Sequence, residues 1–224
     1  MTRAKICGIT NPDDANAVQA AGADFVGLIL SDGFARSVDP AQAAHVVSGI
    51  ATPRVAVLVN EPPAEALVLA QSIGASVVQL HGNERPEAVT ALMALGDWEV
   101  WKAVRARSID DVFRAVDIYG ELVSGLLIEG WKEGVVGGAG ALVEIDAEAL
   151  RAAVPSALTF VLAGGIVPSK VTSTIARFSP DVIDVSSGVE RSPGLKDHEL
   201  VTAFIREAHS VSEAMTNITE AGQA

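Results

Sequence analysis

The chain reads as a single (β/α)8 barrel of the α/β class, on three observations. Short apolar runs alternate with longer amphipathic stretches nearly to the carboxyl terminus. The runs are β-branched or leucine-rich and almost continuously apolar, as suits parallel strands buried on both faces. Eight such units fit into 224 residues, the count for a barrel at the compact end of its size range.

Taken in order, strands are expected at Ala4–Cys7, Phe25–Leu30, Arg54–Val59, Val77–Leu80, Glu99–Ala103, Gly125–Ile128, Phe160–Leu162 and Val182–Val185. Helical stretches between them include Asp13–Ala21, Ala41–Ser48, Ala64–Ile73 and Pro86–Leu95. Asn11-Pro12 and Asp39-Pro40 each set a capping side chain ahead of a proline suited to the first helical turn. The competing architecture is a doubly wound open sheet. It would ordinarily carry a Gly-rich nucleotide fingerprint after the first strand, where this chain has Cys7-Gly8-Ile9-Thr10. No Pro/Gly/Ser-rich linker divides the sequence. Residues 1–210 are therefore expected to form one domain, and 211–224, polar and unpatterned, a frayed tail.

The bulk composition narrows the class of function. Hydrophobic residues make up 49% and aromatic ones 4%, with 20 glycines, which indicates an aliphatic core with many tight turns. Net charge is −12, from 16 basic and 28 acidic residues, the opposite of a nucleic-acid-binding balance. One cysteine permits no internal disulfide and no Cys-based zinc site, and no histidine pair has ligand spacing, so no metal is expected. Neither a signal-like segment nor a run of the roughly 20 apolar residues needed for a membrane span is present, so a cytoplasmic protein without membrane contact is expected.

In a barrel, functional residues gather at the carboxyl ends of the strands. The first strand ends at Cys7 and the fourth runs into Gln79-Leu80-His81-Gly82. The sixth ends at Glu129, the seventh at Ala163-Gly164-Gly165, and the eighth at Asp184-Val185-Ser186-Ser187-Gly188; Arg36 lies in the loop after the second. The last two segments form a candidate phosphate cradle. Gly164, Gly165 and Gly188 let backbone N–H groups approach an anion, and Ser186 and Ser187 add hydroxyls beside a short helix start. Gly134–Gly140 suits either a second anion nest or a plain flexible connection. A lone cysteine beside a strand is commonly a small buried hydrophobe; at a strand end it can instead serve as a base.

Lys5–Thr10, Gln79–Gly82, Gly137–Gly140, Leu162–Ile166 and Asp184–Glu190, followed by Pro193–Asp197, resemble the phosphoribosylanthranilate isomerase family of tryptophan biosynthesis, in family order across nearly the whole chain. The resemblance implies a one-domain barrel that converts N-(5′-phosphoribosyl)anthranilate into the 1-deoxyribulose product by an Amadori rearrangement, without a cofactor. It makes Cys7 the general base and Glu129 the general acid. Arg36 and Asp184 would position the anthranilate half. His81, read from its place alone, is expected to shape the mouth of the fourth strand by hydrogen bonding, with a catalytic role as the alternative. Gly165, Ser186 and Ser187 would hold the phosphate. The chemistry asks for such groups independently: an acid must protonate the ring oxygen, and a base must remove the C2′ hydrogen of the resulting Schiff base. A free thiol titrates near 8.5, so a lowered Cys7 pKa is expected, from Lys5 or from a helix N-terminus.

Four positions depart from the family pattern. Glu129 stands where aspartate is usual, and a misplacement of about 1 Å can cost on the order of 100-fold in rate. Gly130 replaces a Ser or Thr, Ala139 a threonine, and Phe34-Ala35-Arg36 the usual Ser-Pro-Arg. All four are expected on the substrate side. They leave two alternatives to the family reaction: a paralogous isomerase for another phosphorylated aminosugar or ketose, or a non-catalytic phosphosugar-binding barrel. Retention of Cys7 argues against the second. His45, His198 and His209 read as surface or structural residues. The partner expected is a small phosphorylated sugar, and a homodimer is retained as a candidate assembly.

Overall fold

A computed structural model describes residues 1–130 and 143–221, with side chains through residue 211. Eight parallel strands close in sequence order: β1 (Arg3–Cys7), β2 (Phe25–Ile29), β3 (Arg54–Leu58), β4 (Val77–Leu80), β5 (Glu99–Ala106), β6 (Gly125–Gly130), β7 (Thr159–Leu162) and β8 (Val182–Val185), with β8 paired to β1. The helices are α1 (Pro12–Ala20), α2 (Pro40–Val46), α3 (Pro63–Ser72), α4 (Pro86–Met93), α5 (Ile109–Tyr119), α6 (Ala147–Ala153), α7 (Val171–Phe178) and α8 (His198–Ala221). This is the (β/α)8 barrel expected from the sequence; the open-sheet alternative is excluded by the β1–β8 pairing.

Local chemistry accounts for the helix starts. Asn11 Oδ1 accepts from the Asp14 amide at 2.8 Å, and Asp39 Oδ1 accepts from that of Ala41 at 2.9 Å. A proline opens each of α1 to α4, where its missing N–H has no partner to lose. Ser108 and Asp111 form a reciprocal capping box at the start of α5.

Strand alternation sorts the apolar side chains into two cores. Ala4, Ile6, Val26, Leu28, Leu126 and Ile128 point outward to the helices. Phe25, Val55, Val77, Trp101, Leu127 and Val161 fill the barrel, where Phe25 and Trp101 meet edge to face at 5.1 Å. Each fully buried aliphatic side chain contributes about 1.5–3 kcal/mol.

The largest strand difference from the sequence expectation is in β5. β5 runs three residues further, to Ala106, because Val104 and Ala106 pack against the outer core and the strand stays paired with β6 through Gly130. The backbone of α8 runs from His198 to Ala221. Its earlier turns are anchored by Val201, Phe204, Ile205 and Ala208, all buried, and by His209 Nε2 at 3.0 Å from Asp24 Oδ2. The Gly134–Gly140 stretch and Ala139 lie outside the described residues.

Candidate active site

The same two-residue period aims chemistry at the barrel interior. Lys5 and Cys7 share one face of β1, Gln79 and His81 one face of β4, and Leu127 and Glu129 one face of β6. At the carboxyl ends of the strands these faces enclose a cavity of about 310 Å³. Cys7, Arg36, His81, Glu129 and Asp184 all line it. So do Gly164, Gly165, Ser186, Ser187 and Gly188, so every site residue expected from the sequence meets in one place.

Cys7 is opposite Gly27 in the β1–β2 register, and a Cβ on Gly27 would come within 2.9 Å of the Cys7 sulfur. The absence of a side chain there is what gives the thiol its room. Lys5, fully buried, places Nζ 2.9 Å from Asp184 Oδ1. Burial would depress the Lys5 pKa, but Asp184 and then Cys7 outweigh it and raise it. For Cys7 the balance goes the other way. Burial pushes its thiol up, Asp184 adds to the rise, and Lys5 and Lys196 oppose it without prevailing. The expected lowering of the Cys7 pKa is thus corrected, because desolvation of a buried thiolate exceeds the attraction of its two cationic neighbours.

Glu129 is buried, and its Oε1 lies 3.1 Å from His81 Nε2. His81 Nδ1 lies 2.9 Å from Gln79 Nε2. The mouth of β4 is braced from behind by Lys102, whose Nζ donates to the carbonyls of Leu80 (3.2 Å) and Gly82 (2.9 Å) and pairs with Glu84 at 3.1 Å. Glu84 Oε1 in turn accepts from the Gly82 and Asn60 amides. Burial pulls the Lys102 pKa down against the attraction of Glu84.

The Gly/Ser side of the cavity is largely a backbone construction. Gly164 and Gly165 have φ of 98° and 60°, a conformation that side chains resist. A single 3-10 turn, Ser187–Val189, follows β8. The Ser186 hydroxyl is buried without a hydrogen-bond partner among the described residues, so a donor or acceptor is available beside the cavity.

Arg36 crosses from its loop to Glu190. Its Nε and Nη2 both contact that carboxylate at 2.7 Å, which raises the Arg36 pKa. Lys196, fully buried, donates to the same carboxylate at 2.8 Å and to the Ser186 carbonyl at 3.2 Å. Glu190 and Lys196 were visible in the sequence only as parts of motifs, and Gln79 only as a neighbour of His81. Their signal was a charged or polar residue close to a strand end in a fold whose strands are otherwise apolar.

The model of the family described as N-(5′-phosphoribosyl)anthranilate (PRA) isomerase matches residues 4–207. A relative of that name from Gloeothece citriformis (strain PCC 7424) is 36% identical over 210 residues, 92% of this chain and 94% of its own.

The chain belongs to the N-(5′-phosphoribosyl)anthranilate isomerase family.

Solved members of the phosphoribosylanthranilate isomerase family superpose closely. One, monomers generated from the dimeric enzyme of Thermotoga maritima, has a TM-score of 0.80 and 34% identity over 94% of this chain and 100% of its own. Another, in complex with reduced 1-(o-carboxyphenylamino)-1-deoxyribulose 5-phosphate, has a TM-score of 0.79 with the same identity and coverage. Against the phosphoribosylanthranilate isomerase pattern, three of the four departures can be placed. Glu129, Phe34 and Ala35 line the cavity, as expected. Gly130 is buried at the end of β6 and is not among the described residues that line the cavity.

Proposed function

We propose that this chain rearranges N-(5′-phosphoribosyl)anthranilate to 1-(2-carboxyphenylamino)-1-deoxyribulose 5-phosphate, an intramolecular aldose–ketose isomerisation in tryptophan biosynthesis. The observation that carries the reading is a cavity sharing a thiol, a carboxyl group and a Gly/Ser anion cradle, in a chain of this family. Cys7 on β1 and Glu129 on β6 stand three strands apart around the barrel. A sugar bound between them would meet the two groups from different sides.

In this reading Glu129 protonates the ring oxygen as the C1′–O bond breaks, leaving a Schiff base. The Cys7 thiolate then takes the C2′ hydrogen, giving an enolamine, and ketonisation returns a proton to C1′. Oxidation at C2′ balances reduction at C1′ within one molecule, so the reaction calls for no external electron carrier. Gly164, Gly165, Ser186, Ser187 and Gly188 hold the phosphate. Arg36, steadied by Glu190, and Asp184 orient the aromatic half, and Phe34 supplies apolar wall.

The family match favours this reaction over a paralogous isomerisation or a purely binding role. The deciding experiment incubates the purified chain with N-(5′-phosphoribosyl)anthranilate and follows appearance of the C1′ methylene by proton NMR. Rescue of a tryptophan auxotroph lacking the isomerase should accompany it. Failure of both overturns the assignment. Among the described residues no helix is long and apolar enough to cross a membrane, and we place the reaction in the cytoplasm. By analogy with the dimeric relative we propose a homodimer, to be read by sedimentation equilibrium.

A further inference from the structure

Lys196 has no part in the proton transfers described above and is not among the described residues that line the cavity, yet it is wholly buried against the Gly/Ser wall. It is pinned at both ends. Its backbone amide donates to Asp14 Oδ2 at 2.9 Å, and Nζ donates to Glu190 Oε1 at 2.8 Å and to the Ser186 carbonyl at 3.2 Å. The Glu190 carboxylate also accepts from Arg36 Nε and Nη2, both at 2.7 Å, so it keeps a cation without the lysine. The bond to the Ser186 carbonyl is the contact that Arg36 does not duplicate. That carbonyl otherwise accepts only a longer bond, from the Val189 amide at 3.4 Å.

A bond at a carbonyl fixes more than one oxygen. In a planar trans peptide the C=O of one residue and the N–H of the next point in opposite directions. No cis bond occurs among the described residues, so the Ser187 N–H points away from Lys196. Ser186, Ser187 and Gly188 line the cavity, and Lys196 lies behind them. Ser187 opens the single 3-10 turn, where an N–H has no partner within the turn. Among the described residues this N–H donates to nothing. A cation at the oxygen end of the peptide also polarises it, which makes the N–H a stronger donor.

We propose that Lys196 is a positioning residue for the anion cradle, holding the Ser186 carbonyl and so aiming the Ser187 N–H at the phosphate of the substrate. The proposal rests on the phosphate reading of the Gly/Ser wall given above. It gives the buried lysine a task distinct from that of Glu190, whose carboxylate steadies Arg36.

Inorganic phosphate is the probe, because its binding needs no turnover. In wild-type protein labelled with carbon-13 and nitrogen-15, titration with phosphate should move the Ser187 amide proton downfield, along with the amides of Gly164 and Gly165. Lys196→Met keeps the length of the side chain and removes its donors. Calorimetry should show phosphate bound roughly 10–100-fold more weakly, the worth of one hydrogen bond to a charged group. KM should rise by a similar factor with kcat changed much less, and the Ser187 shift at saturation should shrink. Unchanged phosphate affinity in the variant overturns the proposal. So does weaker binding with an undiminished Ser187 shift, which would make the lysine a distant charge. A wild-type Ser187 amide that phosphate leaves in place while Gly164 and Gly165 respond also overturns it, and that measurement stands if the variant does not fold. If no amide of the cradle responds, the phosphate reading falls and the proposal with it. A chain whose Ser187 responds as expected, but which does not isomerise phosphoribosylanthranilate, loses the function and keeps the proposal.

Discussion

Lys5 Nζ lies 2.9 Å from Asp184 Oδ1 across the register that closes the barrel, between strands at opposite ends of the chain. The lysine is wholly buried while the aspartate faces the cavity, so the pair ties the substrate wall to the seam of the fold. Replacing Lys5 by methionine leaves a buried carboxylate without its cation. We expect a loss of about 3–5 kcal/mol in unfolding free energy, measured by urea denaturation, partly recovered in Lys5→Met/Asp184→Asn. A single variant as stable as wild type would show that Asp184 finds other compensation.

The raised Cys7 pKa has a kinetic signature. Below its pKa the thiolate fraction grows about tenfold per pH unit. Alkylation by iodoacetamide should therefore still be accelerating above the pH at which an ordinary thiol levels off, and Lys5→Met should move the curve further up. A plateau on the acid side of neutrality would contradict the burial argument. Cys7→Ser should fold normally and lose roughly 10²–10⁴-fold in turnover, because a hydroxyl is a far weaker base.

Two buried carboxylates link stability to acid. Burial alone would raise Glu190, but hydrogen bonds from Arg36 and Lys196 overcome it and hold the group below the usual range. Burial would likewise raise Glu84, yet the Lys102 charge and the Asn60 amide bring it down. Each group takes up a proton more readily unfolded than folded. Its contribution is complete above the ordinary glutamate pKa, about 4.3, and disappears as pH falls through the lower folded value. Urea midpoints should drop on acidification below that point, and Glu190→Gln should flatten the fall while lowering stability at neutral pH. A midpoint unchanged down to about pH 3 would refute the linkage.

Glu129 is tested by shortening as well as by neutralising. Glu129→Gln removes the acid and should cost roughly 10²–10⁴-fold in rate. Glu129→Asp keeps the acid but withdraws the carboxyl from His81 Nε2 by more than an ångström, and about 100-fold is expected. An aspartate variant equal to or faster than wild type would mean that His81 does not position the acid.

Strand count, helix starts and the residues at strand ends were legible because each is a local property. A two-residue period decides which side chains face inward, and Asn11-Pro12 caps its helix with atoms three residues away. The departures at Glu129 and Phe34 could be identified for the same reason, as single positions in short motifs. Partner choice could not. Arg36 and Glu190 are 154 residues apart, and His81 and Glu129 are 48 apart.

What the sequence by itself determined was the barrel and the ten residues that would gather at its mouth, since pattern and strand order suffice for that. Only the tertiary structure decided the charges and protons. The closing register set Lys5 against Asp184, and the loop path of Arg36 brought it to Glu190 rather than leaving it free. The direction of the Cys7 shift is a difference between desolvation and the attraction of Lys5 and Lys196. A difference of that kind depends on distances and on the exclusion of water, which neither residue type nor spacing encodes.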